Sequence, residues 1–155
     1  MEKDIINILI VDDEKYEGIL IEKCVNWESE GFHIIGNVQC AEDALKLMEK
    51  QVPDIVYTDI NMPRIDGLEL SRRIRDTYPA VRIVIVTGYR EFEYAREAIH
   101  IGVEEFLLKP IQSDELLAAA MKLREQILKK REQQSKDVEI YPVLCQELLR
   151  RIVTG

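Results

Sequence analysis

The sequence has few cysteines and few histidines, and their positions form no metal or redox motif. Cys24, Cys40 and Cys145 are odd in number and lie at least 16 residues apart. Such a set suits neither a disulfide framework nor a zinc site, so we expect buried, reduced thiols in a cytosolic protein. His33 and His100 are far apart in the sequence and have no partner pattern, so we expect structural or surface roles for both.

Long apolar runs and an excess of positive charge are also missing. No apolar run approaches the roughly 20 residues that a helix needs to cross a bilayer. The start, Met1–Asp4, lacks the features of a secretory leader, so we expect a cytoplasmic protein with no membrane partner. The chain carries 21 Lys and Arg against 29 Asp and Glu, a net charge of −8. Because phosphate backbones are bound by clustered cations, this acidity argues against direct nucleic acid binding by the chain itself.

Short apolar segments and amphipathic segments alternate five times over the first 130 residues or so. The apolar segments predict strands at Ile6–Val11, Phe32–Val38, Asp54–Thr58, Val81–Val86 and Glu104–Leu108. The amphipathic segments predict helices at Glu14–Trp27, Ala41–Lys50, Leu68–Tyr78 and Glu91–Ile101, and from an N-cap at Ser113 or Asp114. Five such units predict an α/β fold whose parallel sheet has helices on both faces. The flavodoxin-like doubly wound order 2-1-3-4-5 suits five units and puts the ligand site at the carboxyl ends of strands 1 and 3.

Apolar residues at helical spacing predict the buried faces of two helices. The stripe on the first helix consists of Tyr16, Leu20, Cys24 and Trp27. The stripe on the last helix consists of Leu116, Ala120, Leu123 and Ile127. Gly102 is placed as the C-cap of the fourth helix, where a glycine is favoured.

The pattern changes after Lys130. Arg131–Asp137 is polar and has no periodicity, which predicts a linker or a frayed helix end. Tyr141-Pro142 then opens a segment with one apolar face, which could fold back, pair with a second copy or begin a domain that this chain lacks. We therefore predict one main domain at residues 1–131, followed by a linker and a short helical segment at 132–155.

Acidic side chains follow two strands that the predicted sheet makes neighbours. Asp12 and Asp13 follow the first strand, and Asp59 follows the third. Three carboxylates would then converge, and they repel one another unless one is protonated or a cation binds between them. Hard oxygen ligands of this kind suit Mg²⁺. The alternative for the acid pair alone is a cap on the first helix, because acids are stabilised at helix N-termini.

Polar residues also close the fourth and fifth predicted strands. Thr87 ends the fourth, and Lys109-Pro110 ends the fifth. Either could be an ordinary surface residue, but together with the acids they occupy the edge at which α/β proteins bind ligands. This set suits phosphoryl transfer to a carboxylate, in which an aspartate attacks, a metal and a lysine neutralise the charge, and the hydroxyl binds the product.

Four segments at this spacing resemble the receiver domains of two-component response regulators, over residues 5 to about 130. The segments are VDDE at Val11–Glu14, TDINMPRIDGLEL at Thr58–Leu70, VTGY at Val86–Tyr89 and FLLKP at Phe106–Pro110. Finer features, including Trp27 ahead of Glu30-Gly31-Phe32, resemble receivers attached to AraC-type DNA-binding domains. The resemblance implies the flavodoxin-like fold already predicted from the alternation of strands and helices.

The resemblance also implies the role of each acidic residue. Asp59 would be the phosphoacceptor. Asp12 or Asp13, or both with one acting through water, would hold Mg²⁺ together with Asp59 and the backbone carbonyl of Asn61. Asn61 and Tyr89 flank this site and would tune the lifetime of the phosphoryl group.

The remaining family residues belong to the switch. Thr87 would be the switch hydroxyl, and Lys109 would pair with the phosphoryl group. The peptide bond of Lys109-Pro110 is predicted to be cis, as is usual in the family and unusual elsewhere. Phe106 stands where the family has its aromatic switch residue, although a core aromatic on the last strand is an equal alternative.

The partners follow from the same resemblance. A sensor histidine kinase would donate the phosphoryl group. Many members dimerise through the face made by helix 4, strand 5 and helix 5, and here Arg90, Arg96 and Glu105 lie near that face. DNA would be bound only by a C-terminal domain of two helix-turn-helix units, which residues 132–155 cannot supply.

Two other function classes remain. A phosphatase or phosphomutase of the haloacid-dehalogenase type also forms an aspartyl-phosphate, but it needs a second acid two residues after the nucleophile, where this chain has Asn61. A pseudo-receiver would act through protein contacts without phosphorylation. The complete set of acids, threonine and lysine argues against it.

Overall fold

Five parallel strands form one sheet in the computed structural model, which describes the backbone of residues 5–88 and 92–154 and the side chains of residues 5–88 and 93–133. The strands are β1 Ile6–Val11, β2 Phe32–Val38, β3 Ile55–Thr58, β4 Arg82–Thr87 and β5 Glu105–Leu108. Their order is β2-β1-β3-β4-β5, which confirms the predicted doubly wound topology. The inner strands β1, β3 and β4 are mostly buried, because helices cover both faces of a parallel sheet, whereas the edge strands β2 and β5 are mostly half-buried.

Five α-helices connect and follow the strands. They are α1 Lys15–Cys24, α2 Ala41–Lys50, α3 Gly67–Thr77, α4 Phe92–Ile101 and α5 Ser113–Thr154. Most bounds agree with the predicted ones to within a residue, but α1 ends three residues before Trp27. The chain is extended at Val25 and then makes a separate 3-10 turn at Glu28–Glu30. Gly102 has a φ of 92° after α4, which confirms the predicted glycine C-cap.

The buried face of α1 is not the predicted one. Tyr16 is 86 % exposed and Leu20 is 47 % exposed, whereas Gly18 and Ile21 are buried. A Cβ at Gly18 would lie 2.5 Å from Oδ1 of Asn37, so the helix approaches β2 through its smallest residue. The prediction considered only large apolar residues. The helix instead packs closely against β2 at Gly18, which has no side chain.

The other apolar predictions have mixed outcomes. Trp27 is buried as predicted, although it lies beyond α1. The predicted stripe of α5 is buried at all four positions, which are Leu116, Ala120, Leu123 and Ile127. Cys24 and Cys40 are free thiols but are half-buried rather than buried, and the side chain of Cys145 lies outside the described residues. His33 and His100 are exposed, as expected for surface residues.

The last helix is longer than predicted. Residues 131–137, where we predicted a linker or a frayed helix end, are helical, and Pro142 lies within the same helix. Lys, Arg, Glu and Gln are good helix formers, so a segment without apolar periodicity still has helical propensity. The chain divides into two compact units, Met1–Leu123 and Arg124–Gly155, and the domain boundary at 131 remains a prediction. Within the described part of the chain, no helix is both long and apolar enough to span a membrane.

Candidate functional site

The two buried acids lie at the carboxyl ends of β1 and β3. The backbone N–H of Asp12 donates to the carbonyl of Val38 at 3.0 Å, and that of Asp59 donates to the carbonyl of Val11 at 3.1 Å. These bonds extend the sheet ladder by one step, so both side chains emerge where the chain leaves the sheet. Asp12 is 1 % exposed and Asp59 is 6 % exposed, whereas Asp13 is exposed.

The three predicted acids come together. Oxygens of Asp12, Asp13 and Asp59 all lie within 4.8 Å of one another. Three hard oxygen ligands at this separation could hold a divalent cation. Asn61 follows two residues after Asp59, with its backbone N–H 3.4 Å from Oδ1 of that acid.

Lys109 extends over the acids from the end of β5. Its Nζ lies 3.1 Å from Oδ2 of Asp12 and 3.0 Å from Oδ2 of Asp59. The backbone N–H of Lys109 donates to the carbonyl of Thr87 at 2.8 Å, and the following bond to Pro110 is cis, as predicted. One ammonium group therefore bridges two buried carboxylates.

A third acid approaches the same lysine and was missed by sequence reasoning. Oε2 of Glu17, in the first turn of α1, lies 4.0 Å from Nζ of Lys109. Asp13 lies ahead of α1 and Glu17 lies in its first turn, so helical spacing does not relate the two acids. The contact joins α1 to the residue that follows β5, so the local sequence pattern carries no signal for it.

The two carboxylate oxygens of Asp59 have different surroundings. Oδ1 accepts a hydrogen bond from the backbone N–H of Ile60 at 2.6 Å, while Oδ2 accepts one from Lys109. The loop that follows packs tightly against α3, because a Cβ at Gly67 would lie only 1.9 Å from the carbonyl oxygen of Asp59. The N–H of Gly67 also donates to the carbonyl of Ile60 at 2.8 Å. Sequence reasoning did not assign Gly67 this role in fixing the loop.

The predicted switch residues lie on the two strands beyond Asp59. Thr87 ends β4 and is fully buried. Phe106, in the middle of β5, pairs with Ile85 of β4, is half-buried and packs against the hydrophobic core. The structure therefore brings Thr87 to the predicted edge and gives Phe106 a packing role. Tyr89 of the VTGY segment and Arg90 lie outside the described residues.

Burial and charge act in opposite directions on the ionisable groups. Burial raises the pKa of Asp12 to about 6, helped by the charge of Asp59 and opposed by the N–H of Glu14 and by Lys109. Burial alone would lower the pKa of Lys109, but hydrogen bonds and charge from Asp59 and Asp12 raise it. The neighbouring acids therefore favour the charged form of Lys109, and burial disfavours the ionised form of Asp12.

Comparison with known proteins gives one consistent result. The sequence model of the family described as Response regulator receiver domain matches residues 8–121. The uncharacterized transcriptional regulatory protein YesN of Bacillus subtilis (strain 168) is 37 % identical over 112 residues, which are 72 % of this chain and 30 % of that protein. The transcriptional regulatory protein DegU of Brevibacillus brevis is 30 % identical over 114 residues, 74 % of this chain and 48 % of that protein.

Solved structures agree with these sequence relatives. The receiver domain of AraT, a response regulator from Geobacillus stearothermophilus, is 31 % identical and superposes with a TM-score of 0.76, covering 82 % of this chain and 98 % of that one. This chain matches less than half the length of either YesN or DegU.

Proposed function

The chain belongs to the response regulator receiver domain family, and we propose that it accepts a phosphoryl group on Asp59 from a sensor histidine kinase. The observation that carries this assignment is the bridge of Lys109 between Asp12 and Asp59, at 3.1 and 3.0 Å. A buried carboxylate beside a fixed cation, at the sheet edge where α/β folds bind ligands, suits attack on a phosphoryl group.

The proposed transfer is a displacement at phosphorus. A carboxylate oxygen of Asp59 forms the new bond to phosphorus, and the phosphorus–nitrogen bond to the donor histidine breaks, with its electron pair leaving on the imidazole. Lys109 pairs with an oxygen of the transferred group, and the hydroxyl of Thr87 donates a hydrogen bond to another of its oxygens. Phe106 would then turn into the space that Thr87 vacates, which makes the change visible at the surface of β5.

Magnesium is the proposed cofactor, held by Asp12, Asp13, Asp59 and the backbone carbonyl of Asn61. The fit rests on three carboxylates whose oxygens lie within 4.8 Å of one another and on a raised pKa at Asp12, which burial causes. A bound Mg²⁺ would supply positive charge to the transferred phosphoryl group.

The output of the whole protein is proposed to be transcription regulation. The names of YesN and DegU describe them as transcriptional regulatory proteins, and this chain matches 30 % and 48 % of their lengths. DNA would be bound by a C-terminal helix-turn-helix domain outside this chain, which agrees with the net charge of −8 here. The receiver domain would end near residue 131, and a cytoplasmic location is the one that suits a kinase partner and a DNA target.

The proposed dimer surface is the face made by α4, β5 and α5. A groove of about 650 Å³ lies along β5 and the first turns of α5, with apolar residues in its lining, including Phe106, Leu108, Pro110 and Ala118. Leu108 is 38 % exposed, and the ion pair of Glu105 with Lys122 lies at the same groove. An apolar groove with a charged rim suits a reversible contact between two proteins.

Intact mass after incubation with acetyl phosphate tests the phosphoacceptor. We expect one Mg²⁺-dependent phosphoryl adduct on the wild-type chain and none on Asp59→Asn. Asp76→Asn, which removes an exposed acid of α3, is the matched control and should keep the adduct. A folded wild-type chain without an adduct would instead favour a protein-interaction module. Steady release of phosphate from small phosphate esters would favour a haloacid-dehalogenase-type enzyme.

A further inference from the structure

Glu17 is a charged residue of the site to which the phosphoryl-transfer chemistry above gives no role. It lies in the first turn of α1, and its side chain is 31 % exposed, so most of its surface is covered. Its Oε2 is 4.0 Å from Nζ of Lys109, too far for a hydrogen bond but close enough for strong charge attraction. Lys109 itself is mostly covered, with its side chain 16 % exposed, so solvent screens this attraction only in part.

Lys109 therefore faces three carboxylates with a single positive charge. Asp12 and Asp59 take up two of the three N–H donors of its ammonium group. Glu17 attracts the same ammonium group from the α1 side. In the proposed reaction Lys109 must turn toward an oxygen of the incoming phosphoryl group, so every carboxylate that keeps its attraction for Lys109 opposes that movement.

Glu17 also acts on the phosphoryl donor directly. Its negative charge lies within a few ångströms of the cation that the donor must reach, so it repels a dianionic donor more than a monoanionic one. Unlike Asp12, Asp13 and Asp59, it lies outside the group of acids that could hold a metal ion. A cation bound to those three acids would therefore not bind Glu17 directly.

We propose that Glu17 is a positioning residue that restrains Lys109 and slows phosphoryl transfer to Asp59, most of all from dianionic donors. The inference rests on the proposed phosphoacceptor function. Under this proposal, the side chain of Glu17 in α1 helps to set the phosphorylation rate of this receiver.

Rates of phosphorylation of Glu17→Gln with two small donors test this role. Acetyl phosphate serves as the dianionic donor and phosphoramidate as the monoanionic one, both at saturating Mg²⁺ and low ionic strength, with adduct formation followed by intact mass. In transfer from acetyl phosphate, Asp59 gains the phosphorus–oxygen bond and acetate leaves with the electron pair. We expect Glu17→Gln to react with acetyl phosphate about threefold to tenfold faster than wild type. The gain should be smaller with phosphoramidate and should shrink as salt is added.

Two control variants separate charge from structure. Glu17→Asp keeps the charge and should stay within about twofold of the wild-type rate, because electrostatic attraction falls slowly with distance. Glu49→Gln removes an exposed acid at the far end of α2 and should leave both donor rates unchanged. A second readout needs no phosphorylation: Glu17→Gln should bind the anionic phosphoryl mimic beryllofluoride more tightly than wild type, by a similar factor.

The outcomes distinguish this inference from the function on which it rests. If wild type forms no adduct with either donor, the phosphoacceptor function fails. If wild type reacts but Glu17→Gln reacts at the same rate, or equally faster with both donors at every salt concentration, the role of Glu17 is overturned while the phosphoacceptor function stands.

Discussion

Asp12 is a buried acid at which desolvation opposes ionisation. It is 1 % exposed, its pKa is raised to about 6 mainly by burial, and the charge of Asp59 raises it further. Lys109 offsets part of this cost, with its Nζ 3.1 Å from Oδ2 of Asp12. Without a metal, ionisation of Asp12 is unfavourable. The site is therefore suited to binding a cation, because a bound cation offsets the repulsion between Asp12 and Asp59.

The stability of the metal-free protein should depend on the ionisation of Asp12. Its pKa in the folded state lies above the ordinary value of 3.8, so the folded state holds the proton more strongly than the unfolded state. Stability therefore falls as the pH rises from about 4 to about 6, by up to about 3 kcal/mol, and stays reduced above that range. Asp12→Asn should flatten this dependence and raise the free energy of unfolding near pH 7.5, measured by urea denaturation in a chelating buffer.

The control for this prediction is Asp76→Asn, which removes an exposed acid and should leave the pH dependence unchanged. Added Mg²⁺ should stabilise wild type more than Asp12→Asn, since the variant lacks one proposed ligand. An Asp12→Asn protein that is less stable than wild type near pH 7.5 without Mg²⁺ would show that the bond to Lys109 outweighs the cost of burial.

At the scale of elements, the approach of α3 to the loop after β3 holds Asp59 in place. Asp66 caps α3, its Oδ1 accepting from the N–H of Glu69 at 2.8 Å, and Gly67 begins the helix against the backbone of Asp59. The helix and the acidic site therefore share one backbone contact, and no side chain fits between them. The position of Asp59, the proposed phosphoacceptor, depends on this contact as well as on the sheet.

Gly67→Ala should disturb both the fold and the site. Its Cβ would lie 1.9 Å from the carbonyl oxygen of Asp59, so the loop or the helix must move. We expect a loss of about 3 kcal/mol or more in the free energy of unfolding. Phosphorylation by acetyl phosphate, measured at a temperature where the variant is folded, should be slower as well.

Gly88→Ala is the matched control for this prediction. A Cβ at Gly88 would meet no atom of the described residues within 4 Å, so the free energy of unfolding should change by no more than about 0.5 kcal/mol. A Gly67→Ala protein as stable as Gly88→Ala would mean that the loop after β3 can shift freely, and that Asp59 is held by the sheet alone.

At the scale of the whole molecule, the proposed phosphorylation would have to alter a surface that a partner can bind. β5 provides the route, because Lys109 directly follows it and its second residue, Phe106, packs against the core. The groove along β5 and α5 lies on the same strand. A change at the site can therefore reach this groove without a change in topology.

Phosphorylation is expected to strengthen self-association through the α4, β5 and α5 face. Ala118→Glu places a charge at an exposed, groove-lining position of α5 and should abolish the increase, because burying an unpaired charge opposes association. Sedimentation velocity with and without acetyl phosphate measures the effect. Ala80→Glu, at an exposed position outside this face, is the control and should associate as wild type does. Equal sedimentation of wild type and Ala118→Glu, both fully phosphorylated, would rule out this groove.

The sequence alone determined the order of elements and the edge at which the chemistry lies. Alternating segments fixed five parallel strands, and the order β2-β1-β3-β4-β5 followed because few right-handed arrangements of such units exist. Acids at the ends of the first and third strands then had to meet, as Asp12 and Asp59 do. These features depend on residues that are near in sequence or on rules of topology, so they can be predicted from one chain.

Tertiary packing decided the rest. α1 buries Gly18 and exposes Tyr16, because the fit of a helix against its sheet depends on the shape of both surfaces. The approach of Glu17 to Lys109 joins α1 to the end of β5, and the contact of Gly67 with Asp59 depends on a close backbone approach. Such distances depend on how helices and strands pack against one another, so they cannot be predicted from the periodicity of the sequence.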